Sequence, residues 1–184
     1  MKRNIRPLTL LAATWFGLAT GPSIRAAPPA PDLTVDLVAP ATAAPGEDIG
    51  NRIRLIVKNV GAAPAHGTQA HAAGYMVDLT LGRDPVVPAG FRTYSANFAE
   101  DVLLKGGRVS RTEDLAPAAF HEYAVGAGIP ADTPPGAYFL CATVDPGNAV
   151  AESKEANNTT CRPIRIAKRL NVGPQDDPPG NQMK

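Results

Sequence analysis

The sequence predicts an all-β fold, a two-sheet β-sandwich of about seven strands with an elaborated middle loop, and three observations carry that expectation. Apolar residues alternate with polar ones over short runs, the period of a strand with one buried face. Gly 17 and Pro 19 make up about a fifth of the 184 residues and punctuate those runs with turn signals. Aromatic residues are only 5%, and no stretch carries a sustained helical period, which excludes a helical bundle.

Residues 27–31, Ala-Pro-Pro-Ala-Pro, read as an extended lead-in to a domain spanning 32–167. In the first strand Leu33, Val35 and Leu37 alternate with Asp32, Thr34 and Asp36. After the Pro45-Gly46 turn, Ile53, Leu55 and Val57 alternate with Arg52, Arg54 and Lys58, and Asn59-Val60-Gly61 closes this second strand. A loop of small residues leads to a third, with Tyr75, Val77, Leu79 and Leu81 on one face and Met76, Asp78 and Thr80 on the other. Residues 82–108 read as a long loop with a short helical turn near Phe98–Leu104. Further strands are expected at Arg108–Arg111 and Phe120–Ala127. Beyond the Pro134-Pro135-Gly136 reversal, Tyr138, Leu140, Ala142 and Val144 share one face, with Phe139, Cys141 and Thr143 on the other; the last strand is Thr159–Ile166. Alternating strands of this kind need a second sheet over their apolar faces, which points to a sandwich of the immunoglobulin type.

Residues 1–26 have the grammar of a signal peptide. Lys2, Arg3 and Arg6 precede an apolar run from Leu8 to Ala19, and small residues follow near Ala26. The run falls short of the roughly 20 residues that span a bilayer, so no membrane span is expected in the mature chain. Cleavage removes four of the 18 basic residues and none of the 17 acidic ones, turning a formal charge of +1 into −3. That balance has no basic face for nucleic acid. Residues 168–184 are expected to form a disordered tail. Cys141 and Cys161 are the only cysteines, and an even count in an exported chain reads as a disulfide tying two neighbouring strands.

Four stretches resemble the CARDB domain, the cell-adhesion-related domain found in bacteria: Pro31-Asp32-Leu33-Thr34-Val35, Ile53 to Gly61, Pro135-Gly136-Ala137-Tyr138, and Val144-Asp145 through Asn148 to Asn158 with its Glu-Ser-x-Glu-x-Asn-Asn ending. The resemblance covers residues 31–167. It implies an immunoglobulin-like sandwich on an exported bacterial protein, periplasmic or extracellular, that works as a non-catalytic binding module. Residues 82–117 depart from the family pattern by their length.

No cofactor is expected, although Asp145, Asn148, Glu152, Glu155, Asn157 and Asn158 offer oxygen ligands suited to calcium; the alternative is that Asn157 and Asn158 adopt left-handed or side-chain-bonded turn conformations while the glutamates face water. His66 and His71, five apart in a loop, and His121 on a later strand offer three imidazoles that zinc or copper could gather, but with no HExxH and no Cys-rich ligand set beside them they are expected to be solvated. No serine lies in a nucleophile elbow, and the chain is expected not to be an enzyme. The surface expected to bind a partner is the loop carrying Phe91, Arg92, Tyr94 and Phe98, unless it folds over the open end of the sandwich as core. The partner expected is a protein of the envelope or cell surface, with a glycan as the alternative.

Overall fold

The computed structural model describes residues 27–168; the signal-peptide and tail readings lie outside that range. Eight strands form two sheets: β1 (Leu33–Val38), β2 (Thr42–Ala43), β3 (Arg54–Asn59), β4 (Val77–Gly82), β5 (Val102–Val109), β6 (Phe120–Tyr123), β7 (Gly136–Val144) and β8 (Thr159–Ile166). The three-stranded sheet has the order β1-β3-β6, and the five-stranded sheet β2-β8-β7-β4-β5. All pairings are antiparallel except the short β2 on β8.

The inner faces meet as the alternation requires. Leu33, Val35, Leu37, Leu55 and Val57 of one sheet pack against Val77, Leu79, Leu81, Tyr138, Leu140, Val144, Ile164 and Ile166 of the other, all buried. Each such side chain removed from water contributes roughly 1.5–3 kcal/mol, so the register of every strand is pinned by which face it must bury.

Three elements differ from expectation. Val102, Leu103 and Leu104 are extended, buried and paired to β4 rather than helical, because a short apolar run gains more from the waiting sheet edge than from an isolated turn. The strand expected at Arg108–Arg111 is therefore the end of β5, which carries a bulge where its register against Asp78 and Thr80 shifts; Gly106, at φ 73°, takes the left-handed position there. Strand β6 stops at Tyr123 instead of Ala127. The chain then crosses to the other sheet, where Gly128 bridges both Asp48 and Lys105 and closes one side of the sandwich. β2, with two residues, has no sequence signal of its own.

Cys141 and Cys161 face each other directly across β7 and β8 and form the disulfide.

Candidate functional site

Residues 83–101, between β4 and β5, lie across the outer face of the five-stranded sheet. On that face Asp78, Thr80 and Cys141 are buried although they alternate with core residues, and the covering segment is what buries them. The Pro85 carbonyl lies 3.5 Å from the Cys161 sulfur. The Arg92 amide donates to Asp78 Oδ2 at 3.3 Å. Val87 to Gly90 form one wall of a groove of about 380 Å³ whose other wall is Thr143, Asp145, Asn148 and Thr159.

The anchor of this strap is an ion pair. Asp78, with a side chain 1% exposed, accepts two hydrogen bonds from Arg108, Nε to Oδ1 and one terminal nitrogen to Oδ2, both 2.6 Å. The same nitrogen donates to the Arg92 carbonyl at 2.9 Å. The fork of donors is thereby divided between a buried carboxylate and the strap backbone, and the carboxylate holds the Arg108 guanidinium above its ordinary pKa.

The four strap residues singled out by sequence divide into two kinds. Phe91 and Tyr94 are each 49% exposed. The Phe91 ring sits 4.9 Å from the Arg108 guanidinium and against Gly147, while Tyr94 bridges to Leu103 and shares a shallow pocket with Arg108. Phe91 thus lies on Arg108 at the surface, and Tyr94 lines a pocket that Arg108 also lines. Phe98 instead turns inward, edge-on to Tyr138 at 5.3 Å between centroids, with Arg83 over both rings. Arg92 bonds back to the Ala89 and Gly90 carbonyls and shapes the strap. The strap is therefore not a free loop: it covers a sheet face and leaves two aromatics outside, while Phe98 packs against the core beside Tyr138, as the core alternative expects for this residue.

The oxygen-rich segment 145–158 serves a different purpose. Asp145 accepts the amides of Ala149 and Val150 at 3.0 and 2.8 Å. Glu152 accepts the Leu33 amide and the Asn158 side-chain amide, the latter at 2.9 Å. Glu155 accepts the Glu152 amide at 2.9 Å, and Asn157 donates to Asp32 at 2.7 Å. These side chains latch the segment onto the start of β1, so two stretches more than a hundred residues apart form one joint. The left-handed residues of the segment are Asp145 (φ 47°) and Asn148 (φ 50°); of the two roles expected for Asn157 and Asn158, left-handed or side-chain-bonded, they take the second. Burial pushes the Glu152 carboxyl up to about 7. Asn157 Oδ1 and Asn158 Oδ1 are buried and find no hydrogen-bond partner among the described residues.

The third histidine, His121, pairs with Glu113 at 3.2 Å, apart from the other two. His66 and His71 both face Asp114, a meeting that spacing alone does not show because the carboxylate arrives from 43 residues away. Among the described residues, no helix is long and apolar enough to cross a membrane.

No family model and no curated protein matches the sequence. Among solved structures the chain is similar to the CARDB domain of a Pyrococcus furiosus protein in complex with di-metal ions, at 21% identity over 75% of this chain and 90% of that one, TM-score 0.48. It is also similar to a domain of a candidate cell-surface protein from Methanosarcina acetivorans, at 20% identity over 77% and 96%, TM-score 0.48. A third likeness is to the sporulation control protein of Bacillus subtilis, at 13% identity over 73% and 49%, TM-score 0.37. At these identities and TM-scores function has to be argued from the chain's own residues. Those residues define an all-β sandwich with a strap across one sheet and an aromatic surface on the strap.

Proposed function

We propose that this chain is an exported, non-catalytic interaction module that binds a protein partner at the cell envelope through the surface of its strap. The observation that carries the reading is the pair Phe91 and Tyr94, half-exposed beside Arg108, whose guanidinium is held in place by the buried Asp78 carboxylate. Aromatic rings and arginine dominate interface energetics, and a surface fixed in advance loses little entropy on binding. A protein is favoured over a glycan because Phe91 already has one face on the Arg108 guanidinium, so what the strap offers outward is a mixed aromatic and cationic surface of the kind protein interfaces use. Export is supported by the disulfide and by the N-terminal reading. A non-catalytic role is supported by the use of three groups raised by burial, Glu152, Tyr75 and Tyr123, which are spent on internal hydrogen bonds.

Retention of the oxidised protein on envelope extract and on insoluble polysaccharides, beside a Phe91→Ala/Tyr94→Ala variant, tests this. Capture of one envelope protein, lost in the folded variant, is the expected result. Capture that survives the double substitution overturns the strap as the interface, and retention on polysaccharide alone replaces the protein partner with a glycan.

A further inference from the structure

Two loops meet away from the strap. Residues 65–75 and 112–115 are joined by reciprocal bonds between Ala65 and Leu115, both 2.9 Å, and by Thr68 with Thr112, the Thr112 hydroxyl accepting the Thr68 amide at 3.0 Å. The Tyr75 hydroxyl donates to the Glu113 carbonyl at 2.8 Å, and the Tyr123 hydroxyl accepts the Glu113 amide at 3.1 Å. The first loop is folded tightly on itself: Tyr75 donates to the His66 carbonyl, His71 to the Gly67 carbonyl and Gly74 to the His71 carbonyl. A Cβ at position 74 would stand 2.2 Å from the Gly67 backbone, so only glycine permits this closure. The backbones that carry His66, His71 and Asp114 are therefore fixed.

On this frame the carboxylate is oriented. Asp114 Oδ1 accepts the Gly67 amide at 2.8 Å, which, with the histidines, holds the acid below the ordinary carboxylate range. Oδ2 is left facing two imidazoles, 3.6 Å from His66 Nδ1 and 3.3 Å from His71 Nε2. The rings lie 4.0 Å apart between centroids, and all three ligand atoms fall within 4.8 Å of one another. The His66 distance is long for a hydrogen bond. It suits two ligands of one ion: metal bonds of about 2.0–2.1 Å at tetrahedral angles place neighbouring ligand atoms roughly 3.3 Å apart.

We propose that His66, His71 and Asp114 form a binding site for a divalent late first-row transition ion, best matched by zinc(II), with a fourth coordination position open to solvent. Two imidazole nitrogens and one carboxylate oxygen select such an ion over calcium or magnesium, which take oxygen ligands. The Gly67 amide on Asp114 is the outer contact that aims the carboxylate. The side chains are 43–55% exposed, so an ion reaches them directly and the open position takes water.

Calorimetric titration of the untagged, oxidised protein with zinc(II) tests the site. One ion per chain is expected, with affinity reduced at least ~10-fold by His66→Gln, by His71→Gln and by Asp114→Asn, and unchanged by His121→Gln. The asparagine keeps an oxygen for the Gly67 amide, and metal-free melting temperatures of the variants establish that the loops stay folded. Imidazole nitrogen NMR supplies an independent readout, zinc(II) moving His66 Nδ1 and His71 Nε2 but not His121. No saturable binding tighter than ~1 mM, or binding that persists in a His66→Gln/His71→Gln variant, overturns the proposal.

Discussion

On the outer face of the three-stranded sheet, Asp36, Arg54, Lys58 and Glu122 stand in water and pair diagonally across strands, Lys58 with Asp36 at 2.5 Å and Arg54 with Glu122 at 2.9 Å. On the outer face of the five-stranded sheet, Asp78 and Thr80 occupy corresponding positions and are buried beneath the strap. The local sequence pattern of β3 and β4 is the same, apolar alternating with polar, yet one polar face is solvated and the other covered. The difference comes from a segment that lies next in the chain but returns over the sheet, and it changes the worth of a charge: an exposed pair is nearly neutral, a buried one is indispensable to its partner.

The sharpest way to break the comparison is to remove Arg108. Arg108→Ala leaves the Asp78 carboxylate buried with no counter-charge and frees the Arg92 carbonyl, and a loss of about 3–5 kcal/mol is expected in urea unfolding. An Asp78→Leu/Arg108→Leu variant recovers much of that, since removing both charges also removes the desolvation cost. If Arg108→Ala unfolds with the same midpoint as the parent, the strap is not anchored as described.

Next in size is the disulfide, which ties β7 to β8 beneath the same strap. Closing a loop across a sequence separation of 20 contributes roughly 3 kcal/mol in the chain-entropy model, and Cys141→Ala/Cys161→Ala is expected to lower the unfolding free energy in urea by a comparable amount, whereas the reduced parent should match the variant. This pairing was legible because the sequence holds only two cysteines, each in an apolar run of strand period. The inner faces were legible too, since Leu33, Leu55 and Tyr138 obey a period of two that burial enforces locally. What alternation cannot report is whether a polar face meets water or another part of the chain, hence the misplacement of Val102–Leu104 and of Phe98. The convergence of His66 and His71 on Asp114 was hidden for the same reason, as was the use of Glu152 and Asn157 to hold the start of β1.

Glu152 sits at that joint and gives a prediction in pH. Its pKa is raised in the fold to about 7 from an ordinary value of 4.5, so between those values the folded protein keeps a proton the unfolded chain has lost. Stability from this group is complete below about pH 4.5 and falls as pH rises through 7. Glu152→Gln cannot ionise, and its amide offers a donor to the unpartnered Asn158 Oδ1. The variant is expected to be more stable than the parent at pH 8 by about 1–2 kcal/mol, allowing for the solvent that reaches this half-buried group, and indistinguishable from it at pH 4. Equal melting temperatures at both pH values would show that the carboxylate is not strained by its burial.

The smallest effect is expected where the comparison began. Lys58→Ala removes the Asp36 partner on the open face, and both side chains are about half exposed, 43% and 56%. Water replaces the ion pair at little cost, the freed Asp36 keeps its hydration, and the lost contact is offset by the rotamer freedom the lysine no longer surrenders. A change below about 1 kcal/mol is expected, shrinking further in 0.5 M salt as screening shortens to roughly 4–5 Å. A loss as large as that of Arg108→Ala would mean that this face, too, is covered by something, and the contrast between the two sheets would then lie in their partners rather than in the strap.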